Sequence, residues 1–94
     1  MISVISAEYV GDYKVRLSFS DGTEGVADLG DLVMNDSRPV FRPLRDKTVF
    51  RKFSVDYTLA WNDDIDLAPE YLYYKAFEHD PALRELFQRW GYVA

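Results

Sequence analysis

The stretch "YKVRLSFSDGTEGVADL", residues 13–29, constrains the fold more than any other part of the sequence. Apolar and polar side chains alternate from Tyr13 to Phe19, which is the period of a β-strand with one buried face. Asp21-Gly22 follows at once and favours the positive φ angles of a tight hairpin turn. The run from Thr23 to Leu29 is therefore predicted to be the returning strand of an antiparallel hairpin.

Further strands are predicted on both sides of this hairpin. Ile2 to Val10 is rich in β-branched residues, and Gly11-Asp12 offers a turn into the next strand. These segments together predict a three-stranded meander. Phe53 to Tyr57 and Thr58 to Asn62 form a predicted second, shorter hairpin.

The middle of the chain predicts a short helix. Asp46 is placed to cap a helix from Lys47 to Lys52. The apolar residues just before it are expected to point inward; they are Val40, Phe41 and Leu44.

The last third of the chain is predicted to be helical. Pro69 suits a first helical turn, and Asp80-Pro81 repeats a helix-start signature. Gly91 is a predicted stop. The predicted fold class is α+β: an antiparallel β-meander of about three strands plus a short β-hairpin, with a short middle helix and C-terminal helices packed on the sheet.

Composition limits the size and class of the protein. A chain of 94 residues is expected to form one domain, with residues 1–77 as its body and residues 78–94 as a C-terminal helical extension. The absence of cysteine excludes disulfides, thiolate zinc sites and cysteine nucleophiles, and it fits a reducing cytoplasm. No signal peptide or apolar run of about 20 residues is visible, so a cytoplasmic protein without membrane contact is expected.

The charge is unevenly distributed. The net charge is −5, whereas residues 38–52 carry six cations and one acid, a local +5. The remaining residues therefore carry −10. A bipolar domain of this kind is suited to a charged protein partner or to a second copy of itself.

The acidic stretch after Trp61 is similar in part to a calcium loop. The spacing of Asn62, Asp64 and Asp66 matches the first oxygen ligands of an EF-hand. The required glycine and glutamate are replaced by Leu67 and Tyr73, so a turn leading into a helix is the preferred interpretation. Residues 63–70 also offer an acid/base carboxylate pair, but this interpretation is disfavoured because these acids lie beside turn residues that are expected to be solvated.

The sequence offers little else for catalysis. His79 is the single histidine, and no phosphate-binding loop or dinucleotide fingerprint is present. We therefore predict a non-enzymatic protein, with no catalytic residue, cofactor or metal.

The aromatic residues near the C-terminus suggest a binding surface instead. Tyrosines wrap around more of the helix after Pro69 than one buried face requires, and tyrosine is enriched at protein interfaces. The predicted partner-binding residues are Tyr71, Tyr74, Phe77, Glu70 and Trp90. A basic protein, or a second copy of the chain, is the predicted partner.

The basic segment supplies the alternative hypothesis of nucleic-acid binding, since arginine suits bidentate phosphate contacts. The predicted patch consists of Arg38, Arg42, Arg45, Lys47, Arg51 and Lys52. A solvated face whose charges pair with acids of the same domain is the preferred interpretation.

Three motifs in this order resemble the bacterial domain-of-unknown-function 2442 family: a D-G-T hairpin ending in D-L, an F-x-P-L-x-D segment, and a finish containing W, D-L-x-P and L-Y. The matching residues are Asp21, Gly22, Thr23, Asp28, Leu29, Phe41, Pro43, Leu44, Asp46, Phe50, Val55, Trp61, Asp66, Leu67, Pro69, Leu72 and Tyr73. Asn62-Asp63-Asp64 departs from the Pro-Asn-Gly turn that the family often has there. The resemblance implies no established enzymatic activity. It implies an antitoxin-like or regulatory binding role, because such genes often resemble one member of a toxin–antitoxin-type pair.

Overall fold

The chain folds into two antiparallel sheets and four α-helices, seen in a computed structural model that describes residues 1–62 and 65–94. The first sheet has the order β1-β2-β3 and the second β4-β5-β6. Their strands are β1 (Val4–Gly11), β2 (Lys14–Phe19), β3 (Glu24–Asp28), β4 (Ser54–Asp56), β5 (Thr58–Trp61) and β6 (Ile65–Asp66). The predicted α+β fold class, with its meander, is confirmed.

Two α-helices follow each sheet along the described chain. They are α1 (Gly30–Asn35), α2 (Lys47–Phe50), α3 (Pro69–Phe77) and α4 (Arg84–Trp90), with 3₁₀ helices at Pro39–Arg45 and Pro81–Leu83. Asp46 caps α2, as predicted, by accepting a hydrogen bond from the Thr48 amide at 2.9 Å. None of these helices in the described part of the chain is long and apolar enough to cross a membrane.

The meander buries one face because its apolar residues alternate. Val15, Leu17 and Phe19 of β2 are buried, and β2 pairs Leu17 with Gly25 of β3. Gly25 lies against α3, where an added Cβ atom would come within 2.9 Å of the Phe77 ring. The glycine therefore lets α3 pack closely on the sheet.

The second sheet joins the core through Trp61. This side chain is 2% exposed and donates a hydrogen bond from Nε1 to the Phe50 carbonyl at 2.6 Å. The Phe50 ring lies 5.5 Å from the indole, centroid to centroid. The bond fixes β5 to the end of α2, so the middle helix and the second sheet share one core.

Several local predictions were wrong. Tyr13 is in the β1–β2 turn rather than in β2, with φ of 62° beside Asp12 at 52°, as a two-residue hairpin turn requires. Val40 was expected inside but is 42% exposed, because its segment is a 3₁₀ helix that turns only Phe41 and Leu44 inward. Strand β6 was not predicted.

Candidate partner-binding surface

Four aromatic side chains form one half-buried surface where α3 meets the chain after α4. Tyr74 and Tyr92 are stacked, with ring centroids 5.0 Å apart and planes at 11°. Tyr71 and Trp90 contact the Tyr92 ring edge to face at 5.9 and 6.4 Å. We call Tyr71, Tyr74, Trp90 and Tyr92 the aromatic surface.

Local sequence explains how these rings meet. Tyr71 and Tyr74 are three residues apart on α3 and therefore lie on one side of the helix. Gly91 ends α4 with φ of 85°, a conformation that glycine adopts at little cost. The chain then turns back, and the Tyr92 amide donates to the Phe87 carbonyl at 3.0 Å.

Beneath this surface, Phe87 anchors α4 to α3. Its side chain is 1% exposed, and its ring lies 5.0 Å from Tyr74 and 6.4 Å from Tyr73. Residues 84–94 thus pack on their own chain. The aromatic surface rests on packed core side chains, and rings held in place by packing lose less conformational entropy when a partner binds.

The polar groups in and beside the aromatic surface are phenol hydroxyls, the Trp90 indole N–H, Glu70 and Lys75, whose Nζ lies 6.0 Å from the centre of the Tyr74 ring and pairs with Glu78 at 2.7 Å. Burial raises the pKa of Tyr71 above its usual value. Burial, followed by the charge of Glu70, raises the pKa of Tyr92. Both phenols are therefore neutral near pH 7. Glu70, half-buried in the first turn of α3, supplies negative charge beside them.

The structure brings together three of the predicted aromatic partner-binding residues and separates the fourth. Tyr71, Tyr74 and Trp90 share one surface, whereas Phe77 packs against Phe19 of the sheet at 6.0 Å. Tyr92 was missed by the sequence reasoning. The sequence feature that could have identified Tyr92 is its position directly after Gly91, the predicted helix stop, where the chain reverses.

A groove of about 200 Å³ adjoins the aromatic surface at Tyr71. Its floor is apolar and its rim carries one cation and one acid; the lining residues are Leu32, Arg38, Phe41, Asp66, Leu67, Ala68 and Tyr71. Pockets that hold drug-sized ligands usually exceed about 300 Å³. The groove is therefore of a size for one side chain of a partner.

Three of the six cations of the predicted basic patch form hydrogen bonds or ion pairs within the chain. Arg38 makes two bonds to the Asp36 carboxylate, at 3.0 and 2.8 Å, and lies 4.6 Å from the centre of the Phe41 ring. These bonds lower the pKa of Asp36 to about 2.

Arg45 and Lys47 also have partners within the chain. Arg45 donates to the carbonyls of Val33 and Met34 at the end of α1, at 3.0 and 3.1 Å. Lys47 pairs with Asp12 at 3.1 Å. These cations stabilise turns and a helix end.

The other cations of the predicted patch are Arg42, Arg51 and Lys52. All are exposed, and within residues 1–62 and 65–94 they form no ion pair. Arg42 lies on the 3₁₀ helix, whereas Arg51 and Lys52 follow α2. All six predicted cations are exposed, and these three have no side-chain hydrogen bond or ion pair in the part of the chain that the structure describes.

The acidic stretch is only partly described. Asp63 and Asp64 lie outside the described residues, so the calcium-loop question concerns a site that the structure does not describe. Asp66 is exposed at the rim of the groove. The described residues hold no group of three or more His, Asp or Glu side chains that could bind a metal ion.

His79 lines a second cavity, of about 220 Å³, beneath the turn between α3 and α4. The carboxylate-bearing neighbours Glu78 and Asp80 share it with the apolar Phe87 and Val93. Asp80 caps the next turn by accepting from the Ala82 amide at 3.0 Å. This acid therefore has a structural role.

Fold and surface together define a small α+β domain with an aromatic surface formed by α3, the end of α4 and the residues that follow it. The family described as "Protein of unknown function (DUF2442)" matches residues 4–78, and the chain belongs to this family. The predicted family is thereby confirmed. No curated protein matches the sequence.

A solved structure has the same fold. It is the crystal structure of a protein from Nitrosomonas europaea ATCC 19718 described as a "putative DNA binding protein". The two are 18% identical with a TM-score of 0.71, and the match covers 100% of this chain and 63% of the other. The chain thus spans less than two thirds of that protein, and the likeness establishes the fold alone.

Proposed function

We propose that this domain is a protein-interaction module, antitoxin-like or regulatory, that binds a basic partner through the aromatic surface. The observation that carries the proposal is the stacked pair of Tyr74 and Tyr92, flanked by two further half-buried rings. Tyrosine and tryptophan present large contact area and a polar tip, and they dominate binding energy at interfaces. The proposed role is binding and not catalysis. A cytoplasmic location is proposed from the cysteine-free composition.

Charge supports a basic partner. No Lys or Arg occurs between Phe53 and Tyr74, whereas that interval contains five acids. Glu70 lies in the first turn of α3, next to the rings. Arginine or lysine side chains of a partner would gain both the attraction of Glu70 and cation–π contact with the tyrosines.

The groove beside Tyr71 also supports the proposal that the partner binds at the aromatic surface. Because Tyr71 belongs both to the aromatic surface and to the groove, a bound segment could cover the rings and insert one side chain beside Phe41. Met34 and Val40 are 52% and 42% exposed on α1 and the first 3₁₀ helix, two of the elements that line the groove. Exposed methionine is adaptable in binding.

The test is co-expression with the protein encoded by the adjacent gene, followed by gel filtration near physiological salt. The wild-type chain should co-elute with that protein, and Glu70→Lys should weaken the complex about tenfold or more, because it places a cation against a basic partner. Glu85→Lys is the matched control, since Glu85 occupies the first turn of α4 as Glu70 does of α3. Equal effects of the two substitutions, or no complex, would contradict the proposal.

Nucleic-acid association is a second candidate, favoured by the description of the structural neighbour as a "putative DNA binding protein". That description belongs to the whole neighbour, of which 63% is matched. Arg42, Arg51 and Lys52 would supply the phosphate contacts. Binding to duplex DNA should then appear in a gel shift at low salt and fall steeply as salt rises, and Arg42→Glu should abolish it. No shift at low salt would remove this candidate.

A further inference from the structure

Strand β3 is an outer edge of the first sheet. The sheet has the order β1-β2-β3, so within residues 1–62 and 65–94 β3 pairs with β2 and with no further strand. The second sheet is attached on the opposite side, where the Val4 amide of β1 donates to the Tyr57 carbonyl at 2.8 Å. An edge strand presents a row of unpaired peptide groups. We call the open side of Glu24–Asp28 the β3 edge.

The register of β2 and β3 identifies which peptide groups face outward. The Phe19 amide donates to the Thr23 carbonyl at 2.9 Å, and the Leu29 amide donates to the Tyr13 carbonyl at 2.9 Å. Hydrogen-bonded pairs alternate along an antiparallel ladder, and the pairing between these two bonds contains no shift. The odd-numbered residues of β3 therefore bond to β2. The peptide groups of the even-numbered residues point away from β2; these residues are Glu24, Val26 and Asp28.

These outward peptide groups are unpaired and accessible. In the part of the chain that the structure describes, neither backbone nor side-chain groups hydrogen-bond to the N–H or C=O of the three residues. Their side chains are exposed, that of Val26 to 40%. The β3 edge can therefore accept a further strand without breaking a hydrogen bond of the fold, which is how extended peptides add to a sheet.

The charges of the β3 edge determine what kind of strand fits. Side chains that lie opposite each other on neighbouring strands interact, and like charges there are destabilising. The strand "EGVAD" has an exposed acid at each end and no cation. A second copy of β3, paired antiparallel along its whole length, would place Glu24 opposite Asp28. A strand with cations two residues before and two residues after its centre would instead meet both acids with opposite charge.

Both acids remain available for such a strand. Arg16 of β2 bonds to Glu8 of β1 at 2.8 Å, whereas its Nε lies 3.9 Å from Glu24, so the cation beside Glu24 is shared with another acid. Asp28 accepts a hydrogen bond from the Gly30 amide at 3.0 Å through Oδ1. Among the described residues Asp28 forms no ion pair.

The inner face of the β3 edge favours apolar side chains. A Cβ atom added at Gly25 would lie 2.9 Å from the Phe77 ring and 3.2 Å from the Ala76 Cβ, and both of these α3 residues are half-buried. A residue of an added strand opposite Gly25 or Ala27 would point to the same face as these side chains. The β3 edge thus fits a strand in which cationic residues alternate with apolar ones.

We propose that the β3 edge binds an extended basic segment of a partner protein as an added strand, with cations of that segment opposite Glu24 and Asp28. The main-chain bonds to Val26 attach the segment, and the two acids set its register. This site goes beyond the proposed function, because it shares no residue with the aromatic surface and does not depend on it.

Nuclear magnetic resonance with two synthetic peptides tests the proposal. The basic probe is Thr-Lys-Val-Thr-Val-Lys-Thr with acetylated and amidated ends, and the acidic control replaces both lysines by glutamate. At about ten times its dissociation constant the basic probe should slow hydrogen exchange of the Val26 amide about tenfold. The Gly25 and Ala27 amides, which already bond to β2, should change little. The basic probe should also bind about tenfold more tightly than the acidic control.

Substitutions separate the charge effect from main-chain pairing. Glu24→Lys leaves one acid and one cation at the β3 edge and should abolish the difference in affinity between the two peptides. Glu8→Lys is the matched control, because Glu8 also contacts Arg16 but lies on β1, away from the β3 edge. Val26→Pro removes the outward N–H without breaking a bond to β2 and should abolish binding, whereas Val26→Thr keeps the N–H and should bind as wild type does.

Three results would overturn the proposal: no binding of the basic probe, equal binding of the two peptides to wild type, or wild-type affinity in a folded Val26→Pro chain. Circular dichroism shows whether that variant is folded, and the exchange of the Val26 amide in wild type decides the matter if it is not. Failure of the adjacent gene product to co-elute would leave these results unchanged, because the peptide assay requires no natural partner.

Discussion

Tyr73 donates a hydrogen bond from its hydroxyl to Oδ2 of Asp21 at 2.9 Å, across 52 residues of sequence. Asp21 begins the turn between β2 and β3 and also accepts from the Thr23 amide and hydroxyl. Tyr73 is 7% exposed, and its ring lies 5.0 Å from Phe19. One carboxylate therefore organises the hairpin turn and holds α3 against it, which couples two of the motifs that mark the family.

Tyr73→Phe should lower the free energy of unfolding by about 1 kcal/mol, since it removes this bond but keeps the ring. A hydrogen bond to a charged group usually contributes more than one between neutral groups. Asp21 is solvent-exposed, however, so the expected loss of unfolding free energy is that of a neutral hydrogen bond. Urea unfolding followed by circular dichroism measures the change. Tyr9→Phe is a suitable control. An unchanged urea midpoint would show that the bond contributes nothing to the free energy of unfolding.

A second prediction concerns pH. The Arg38 guanidinium lowers the pKa of Asp36 from 3.8 to about 2, so the carboxylate contributes stability that is complete above the unfolded pKa. That contribution should be lost as pH falls from about 4 toward 2. Melting curves of wild type and Asp36→Asn should therefore differ at pH 6 and converge near pH 2. Parallel curves across this window would contradict the assignment. The Arg38 side chain is 65% exposed, so the effect of the pair should also shrink in high salt.

The sequence predicted those parts of the fold that depend on local signals. Alternation in β2, the Asp21-Gly22 turn and the Asp46 cap each follow from residues close together in the chain, and the structure confirms them. Strand β6 escaped prediction because two residues carry no period; Ile65 and Asp66 become a strand only by pairing with Trp61 and Ala60.

The candidate site was likewise predicted only where it depends on residues close together in the sequence. Tyr71 and Tyr74 stood out by their spacing on one helix, whereas Tyr92 joins them only after the chain reverses at Gly91. Phe77 continues the spacing of the tyrosines but faces the sheet. Helical period alone cannot distinguish a ring that packs inward from one that remains at the surface. The position of the neighbouring sheet decides this.

The close approach of α3 to the first sheet gives a third prediction. Gly25→Ala should destabilise the domain by about 1–2 kcal/mol, because its Cβ would lie 2.9 Å from the Phe77 ring and force that ring to move. Replacing Phe77 by leucine first should reduce the cost of the same substitution, since the obstructing ring atoms are gone. The test is a double-mutant cycle by urea unfolding. Additive effects of the two substitutions would show that the contact is not responsible.

The link between α2 and the second sheet gives the last prediction. Trp61→Phe removes the donor for the Phe50 carbonyl and shrinks a side chain that is 2% exposed, so it should cost about 2–4 kcal/mol of unfolding free energy. Trp90→Phe is the matched control. Because Trp90 is half-buried in the aromatic surface, this substitution should lower the free energy of unfolding by about 1 kcal/mol or less. Circular dichroism follows unfolding in both variants without relying on tryptophan fluorescence. Equal costs for the two substitutions would mean that Trp61 does not join the two parts of the core.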